Sequence, residues 1–198
     1  MNVVLVDAGG ANLGSVRYAL ERLGVAPRVS GDAAEIAAAD RVILPGVGAA
    51  GPGMARLRAL GLVEPLRNLQ APLLGICLGM QLLFESSEEG EVDCLGLLPG
   101  RVRRMRTTPG LRVPHMGWNR LQRRADAPLL DGIPDGAQVY FVHGYCAPVD
   151  ANCLASSQHG EDFAAVVQRG RVAGAQFHPE RSAAFGARLL ANFIEQGL

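Results

Sequence analysis

The chain has 198 residues, 48% of them hydrophobic and 19% charged, with a formal net charge of +0. That length can bury a full core, and the charge balance argues against a general nucleic-acid or anionic-membrane binder. All 19 basic residues are arginine, which excludes Schiff-base lysine chemistry, the P-loop lysine and the kinase strand lysine.

Val3 to Val6 is a short apolar run that ends at Asp7, followed by Gly9-Gly10 and a helical pattern from Leu13 to Leu23, with Val16, Leu20 and Leu23 on one face. This reads as strand, glycine-rich turn and helix. Ala26–Val29 is expected to be a second strand, Asp32–Ala39 a short helix and Arg41–Leu44 a third strand stopped by Pro45-Gly46-Val47-Gly48. Helical text follows over Gly53–Leu60 and Leu62–Leu69, then a strand over Pro72–Ile76 and a helix over Leu78–Phe84. Strand alternating with helix points to a parallel, doubly wound α/β sheet. The later half changes character: from Gly100 to about Arg124, and from Gln138 to Gly174, short alternating β segments recur. Val139–Val142, Phe163–Gln168 and Val172–Phe177 are the clearest, and an amphipathic helix over Ala183–Glu195 follows them. With no linker-like break, one α/β domain over residues 1–198 with an added mixed or antiparallel portion is expected. Residues 1–20 lack a signal core, so no targeting segment is expected and a cytoplasmic setting is.

Gly75-Ile76-Cys77-Leu78-Gly79 follows an apolar strand and precedes an apolar helix. Small residues two positions either side of a nucleophile are what a tight strand-to-helix turn demands, and the turn projects the middle side chain outward. Cys77 also sits at a helix N-terminus, where the dipole favours a thiolate. Taken alone, the pentapeptide suits a buried inert cysteine equally well. A thiol acting on an acyl group needs a base and an orienter. His178 and Glu180, in Gln176-Phe177-His178-Pro179-Glu180, supply both: two apart in extended chain, they can point the same way. Leu78 N–H is the natural first oxyanion donor, and the Pro45–Gly48 segment is small enough to bring a second. The spacings of Cys77, Cys94, Cys146 and Cys153 match no zinc ribbon or redox pair, and the four histidines show no metalloprotease spacing. Neither a metal nor a disulfide framework is expected.

Gly75–Glu85 (GICLGMQLLFE), Pro45–Gly48 (PGVG), Pro114–Asn119 (PHMGWN), Tyr140–Tyr145 (YFVHGY) and Gln176–Ser182 (QFHPERS) occur together. Taken in chain order, and spanning nearly the whole chain, they resemble the class I glutamine amidotransferases. PHMGWN with YFVH narrows the resemblance to the glutaminase subunits of imidazole glycerol phosphate synthase. The resemblance implies a flavodoxin-like fold, mainly parallel at its centre with an added mixed or antiparallel β portion. It implies glutamine hydrolysis through a Cys77 glutamyl thioester, with His178 as base and acid, Glu180 as orienter, and no cofactor. The oxyanion would be held by Leu78 N–H and a backbone N–H at Val47 or Gly48. Gly46, Gln81, Glu89, Gly144 and Tyr145 would bind substrate, Glu89 at the α-amino group and the backbone at 144–145 on the carboxylate side. It implies a heterodimer with a (βα)8-barrel cyclase that receives the ammonia and activates the glutaminase. Asn12, Met116, Trp118, Asn119, Tyr140, His143 and Arg181 would face that partner; for Trp118 the alternative is plain core.

Two departures from the family pattern stand out. The Asp7–Leu13 turn lacks the usual aromatic after the aspartate, and Gly144 stands where the family commonly has Ser or Thr. The Arg101–Arg106 stretch reads as a solvated strand face or a contact to the partner. Cys94, Cys146, Cys153, His115 and His159 read as structural or surface residues. A glutaminase serving another synthase, such as pyridoxal-phosphate synthase, and a non-catalytic scaffold remain as alternatives; PHMGWN counts against the first and the intact Cys77, His178 and Glu180 against the second.

Overall fold

The computed structural model describes residues 1–9 and 12–198; Gly10 and Ala11, expected in the glycine-rich turn, lie outside the described residues. In chain order the first elements are β1 (Val3–Val6), α1 (Leu13–Arg22), β2 (Arg28–Ser30), α2 (Ala33–Ala37), β3 (Arg41–Gly46), α3 (Ala50–Ala59), α4 (Val63–Arg67), β4 (Leu73–Cys77) and α5 (Leu78–Gln81). Then come β5 (Ser86–Ser87), β6 (Val92–Asp93), β7 (Arg101–Arg104), β8 (His115–Arg120), β9 (Gln122–Arg123), β10 (Gln138–His143), β11 (Tyr145–Cys146), β12 (Cys153–Gln158), β13 (Asp162–Arg169), β14 (Val172–Ala175) and α6 (Ala183–Gln196).

The main sheet runs in the order β2-β1-β3-β4-β14-β13-β12-β9. The pairs from β2 to β14 are parallel, and those from β14 through β13 and β12 to β9 are antiparallel. Its central strands read as unbroken apolar runs because both faces are covered. In β1, Val3 and Leu5 pack with α1 and α6 (Val16, Leu20, Leu189, Phe193), while Val4 and Val6 pack with Met54, Leu57 and Leu66 on the other side. Outside this sheet, β8 and β10 form an antiparallel pair, and β11-β7-β5-β6 form a small mixed sheet. Among the described residues, no helix is long and apolar enough to cross a membrane.

The elements depart from the sequence expectations at their ends, for long-range reasons. Helix α3 starts at Ala50, before the expected Gly53, because the Glu89 carboxylate accepts from Ala50 N at 2.9 Å and caps the orphan amides of the first turn. Helix α5 stops at Gln81 instead of running to Phe84. The carbonyls of Leu82, Leu83 and Phe84 accept from the amides of Leu95 to Leu98, so they are not left for a further helical turn. Strand β14 ends at Ala175, short of Phe177, where the chain turns towards His178. The arginine-rich stretch is balanced locally: Arg101 pairs with Glu91 at 2.6 Å and Arg103 with Glu161 at 2.7 Å.

Candidate active site

Three neighbouring parallel strands deliver the site. Gly46 at the end of β3 pairs with Cys77 at the end of β4, and Ala175 of β14 pairs with Ile76. The Pro45–Gly48 segment, Cys77 and the 176–180 segment therefore leave the carboxyl edge of the sheet side by side, where open α/β sheets place their ligands.

Cys77 passes from strand to helix with φ 54° and ψ −112°, a strained backbone for a residue with a side chain. The flanking glycines explain how the turn closes. A Cβ on Gly75 would lie 2.7 Å from the backbone of Gly79 and Met80, and one on Gly79 would lie 1.8 Å from the Leu44 carbonyl oxygen. A Cβ on Gly46 would lie 2.9 Å from Gly79 N. The glycines thus let β3, β4 and α5 approach backbone to backbone.

His178 Nδ1 is 2.7 Å from Glu180 Oε1, and both side chains are almost wholly buried. The imidazole is set in place from β10. His178 N donates to Tyr140 O at 3.0 Å, and Ser182 Oγ accepts from Tyr140 N at 2.9 Å while donating to His178 O at 2.6 Å. Burial alone would lower the His178 pKa, but the adjacent Cys77 sulfur, as a thiolate, and the Glu180 carboxylate push it up to about 10. Burial likewise disfavours ionised Glu180, and the hydrogen bonds from His178 and Asn12 hold its carboxyl below the usual range. His178 Nε2, the other ring nitrogen, is buried and makes no hydrogen bond among the described residues. By contrast, burial pushes the thiols of Cys94, Cys146 and Cys153 up to about 11, as inert structural cysteines require.

A cavity of about 490 Å³ opens over these groups and brings together Cys77, Leu78, His178, Val47, Gly48, Gln81, Glu89, Gly144, Tyr145, Asn12, His143 and Arg181. Gly46 lies behind it, in a second cavity on the far side of the Pro45–Gly48 segment, and Glu180 stands behind His178. Gln81 Nε2 donates to Tyr145 O at 3.0 Å and to Gln176 Oε1 at 3.0 Å.

Of the seven residues expected to face a partner, the five on β8 and β10 divide by strand parity. In the β8–β10 pair, Trp118 lies opposite Tyr140 and Met116 opposite Val142 on one face; His115 lies opposite His143 and Asn119 opposite Val139 on the other. Met116 and Trp118 are 64% and 53% exposed. Trp118 packs edge-on to Tyr140, and the Arg181 guanidinium stacks 4.2 Å above the Tyr140 ring. The remaining three side chains make hydrogen bonds within the chain. His143 is buried, hydrogen-bonded through Nε2 to His115 Nδ1 at 3.1 Å and through Nδ1 to Tyr145 O at 2.8 Å. Asn119 Nδ2 serves Gln158 O and His115 Nε2, and its Oδ1 accepts from Arg120 N. Asn12 Nδ2 donates to Glu180 Oε1 at 2.8 Å. Sequence reasoning missed Gln176, Ser182 and His115 as parts of the site's frame, although QFHPERS and PHMGWN contain all three.

A family model described as glutamine amidotransferase class-I matches residues 4–196. A protein of Xanthomonas axonopodis pv. citri, described as imidazole glycerol phosphate synthase subunit HisH, is 66% identical over 98% of this chain and 97% of its own. A protein of the same description from Xylella fastidiosa (strain Temecula1) is 63% identical over 98% of this chain and 96% of its own. Among solved structures, one described as PurLQS from Thermotoga maritima superposes with a TM-score of 0.74 at 20% identity, covering 98% of each chain. At that identity the likeness supports the fold alone, and it bears out the expected α/β architecture with an added antiparallel portion.

Proposed function

The chain belongs to the class-I glutamine amidotransferases, and from that premise we propose that it is the glutaminase subunit of an imidazole glycerol phosphate synthase. Acting as one domain over residues 1–198, it hydrolyses glutamine to glutamate and ammonia and passes the ammonia to a (βα)8-barrel cyclase bound as a heterodimer. The cyclase uses it to form imidazole glycerol phosphate and aminoimidazole carboxamide ribotide. The observation that carries this reading is the meeting, at the edge of three adjacent strands, of a strained cysteine elbow with a buried His–Glu pair bonded at 2.7 Å. The four free, buried cysteines suit a cytoplasmic setting.

The chemistry follows from the geometry. The Cys77 thiol passes its proton to His178 Nε2, and its sulfur attacks the glutamine carboxamide carbon. The raised His178 pKa reflects how well Cys77 and Glu180 stabilise the resulting imidazolium. Charge that builds on the carboxamide oxygen is met by Leu78 N–H and by a backbone N–H at Val47 or Gly48. His178 then returns the proton to the leaving nitrogen; the C–N bond breaks, ammonia departs, and a glutamyl thioester remains on Cys77. Water, deprotonated by His178, attacks the thioester carbon; the C–S bond breaks to release glutamate, and His178 returns the proton to the Cys77 sulfur. Glu180 keeps Nδ1 protonated and the ring in place throughout. Gln81, Glu89 and the backbone at Gly144–Tyr145 bind the amino-acid end of the substrate, with Gly46 shaping the turn behind the oxyanion donors.

The exposed Met116 and Trp118, with Tyr140 and Arg181, form the partner-facing patch beside the cavity mouth. An apolar, aromatic surface with an arginine suits a protein interface, and a closed interface keeps ammonia from being protonated in bulk water. Contact there activates an otherwise slow glutaminase. The test is glutamate release from glutamine by the purified chain alone, with a cyclase subunit and its nucleotide ligand, and with Cys77→Ala. Activity that rises strongly with partner and ligand and disappears in Cys77→Ala supports the reading. Full activity alone, or none under any condition, overturns it.

A further inference from the structure

We propose that Gln176 is a positioning residue that holds the Gln81 amide with its carbonyl oxygen turned to the glutamine pocket. The inference deepens the glutaminase reading and rests on it. Gln176 is 0% exposed and stands at the turn between β14 and His178. A fully buried amide is costly unless its groups are paired, and here the pairing has one consistent polarity.

The backbone carbonyl of Tyr145 fixes that polarity, because a carbonyl oxygen can only accept. It takes one hydrogen bond from His143 Nδ1 at 2.8 Å and one from Gln81 Nε2 at 3.0 Å. Its acceptance forces the Gln81 nitrogen, and not the oxygen, to face it. The second N–H of the same nitrogen reaches Gln176 Oε1 at 3.0 Å. With both donors spent inside the protein, Oε1 is the polar atom that Gln81 can offer to the cavity it lines. Gln81 is therefore an acceptor for an N–H group of the substrate. Were Gln176 turned the other way, two NH2 groups would oppose each other. In the observed sense, Gln176 Nε2 instead points at Cys77 Sγ, 3.9 Å away, so the same side chain also reaches the nucleophile.

The test compares Gln176→Met, Gln176→Glu, Gln81→Met and the double variant Gln81→Met/Gln176→Met. Cys77-dependent glutamate release is measured in the complex with a cyclase subunit. Met fills the volume but offers Gln81 no acceptor, so KM rises roughly tenfold, the scale of an unmade buried hydrogen bond. Glu keeps an acceptor towards Gln81 in either protonation state but loses the N–H aimed at sulfur. Its KM stays within about threefold of wild type while kcat falls. In the Gln81→Met background, adding Gln176→Met leaves KM unchanged, because the residue acts through Gln81. An equal KM rise in Gln176→Glu and Gln176→Met, or a Gln176→Met cost that persists without Gln81, overturns the proposal. A wild-type complex with no Cys77-dependent release overturns the glutaminase reading instead, so the two failures are told apart.

Discussion

Removing the Asn12 side chain isolates what holds the buried glutamate. Asn12 sits at φ 82°, a left-handed conformation that Ala would strain and Gly would not, so the informative change is Asn12→Gly. It deletes the 2.8 Å hydrogen bond from Nδ2 to Glu180 Oε1 without forcing the backbone. A hydrogen bond to a buried charged group contributes about 1.5–3 kcal/mol, which converts to roughly a 10- to 150-fold loss in kcat/KM. His178 still donates to the same oxygen at 2.7 Å, so the loss is expected near the lower end. Steady-state glutamate release should be followed for the chain alone and with its partner, alongside Glu180→Gln and the double variant. Asn12→Gly should cost about tenfold in both settings and almost nothing in the Glu180→Gln background. A loss confined to the complex would mark Asn12 as acting at the interface, and a rate within about twofold of wild type would refute its role in holding Glu180.

Gly79→Ala places a Cβ 1.8 Å from the Leu44 carbonyl oxygen, whereas a Cβ at Gly51 in α3 meets nothing within 4 Å. Thermal melts should show Gly79→Ala destabilised by more than about 3 kcal/mol and Gly51→Ala stabilised by about 0.5 kcal/mol. Gly144→Ser should fold normally, since its Cβ comes no closer than 3.8 Å to Pro114. A hydroxyl on the pocket wall should lower the KM for glutamine by roughly two- to tenfold, the span of one net hydrogen bond; an unchanged or higher KM means the wall there binds through backbone alone. Burial lowers the pKa of His115 to about 4 and of His143 to about 3, against about 6.5 in an unfolded chain. Both are neutral in the fold and take up protons on unfolding, so their contribution is complete above about pH 6.5 and is lost as pH falls towards those lower values. Urea midpoints followed down this range should fall less steeply in His143→Gln, by up to about 1.4 kcal/mol per pH unit.

The part of the fold legible in the sequence is the part whose rules are local or periodic. The strands over 3–6, 41–46 and 73–77 announce themselves as apolar runs because helices cover both faces of the sheet, and the Gly75–Gly79 elbow because only glycine fits where backbones meet. What stayed hidden depends on long-range partners. The Glu89 cap on α3 comes from a loop 39 residues away, and the two-residue strands β5 and β6 exist only through their pairing with β7 and with each other. Gln176 was visible as a letter in a motif, but its polarity is set by a carbonyl 31 residues earlier in the chain.

The two faces of the β8–β10 ribbon make a different point, because their division was recoverable. Side chains alternate across a strand with period two. Tyr140 and His143 are an odd number of residues apart in β10 and cannot share a face, and the same holds for Trp118 and Asn119 in β8. Choosing the exposed face from Trp118, Met116 and Tyr140 assigns His115, Asn119 and His143 to the other. There the imidazoles and the Asn119 amide form a hydrogen-bonded line that ends on the Tyr145 carbonyl, where Gln81 also docks. One two-stranded ribbon thus leaves Met116 and Trp118 exposed on its outer face, where the partner is proposed to sit, while its inner side chains hold the wall of the proposed glutamine pocket. Among the described residues, His143 Nδ1, bonded to Tyr145 O at 2.8 Å, is the one side chain that links this ribbon directly to the carbonyl on which Gln81 rests.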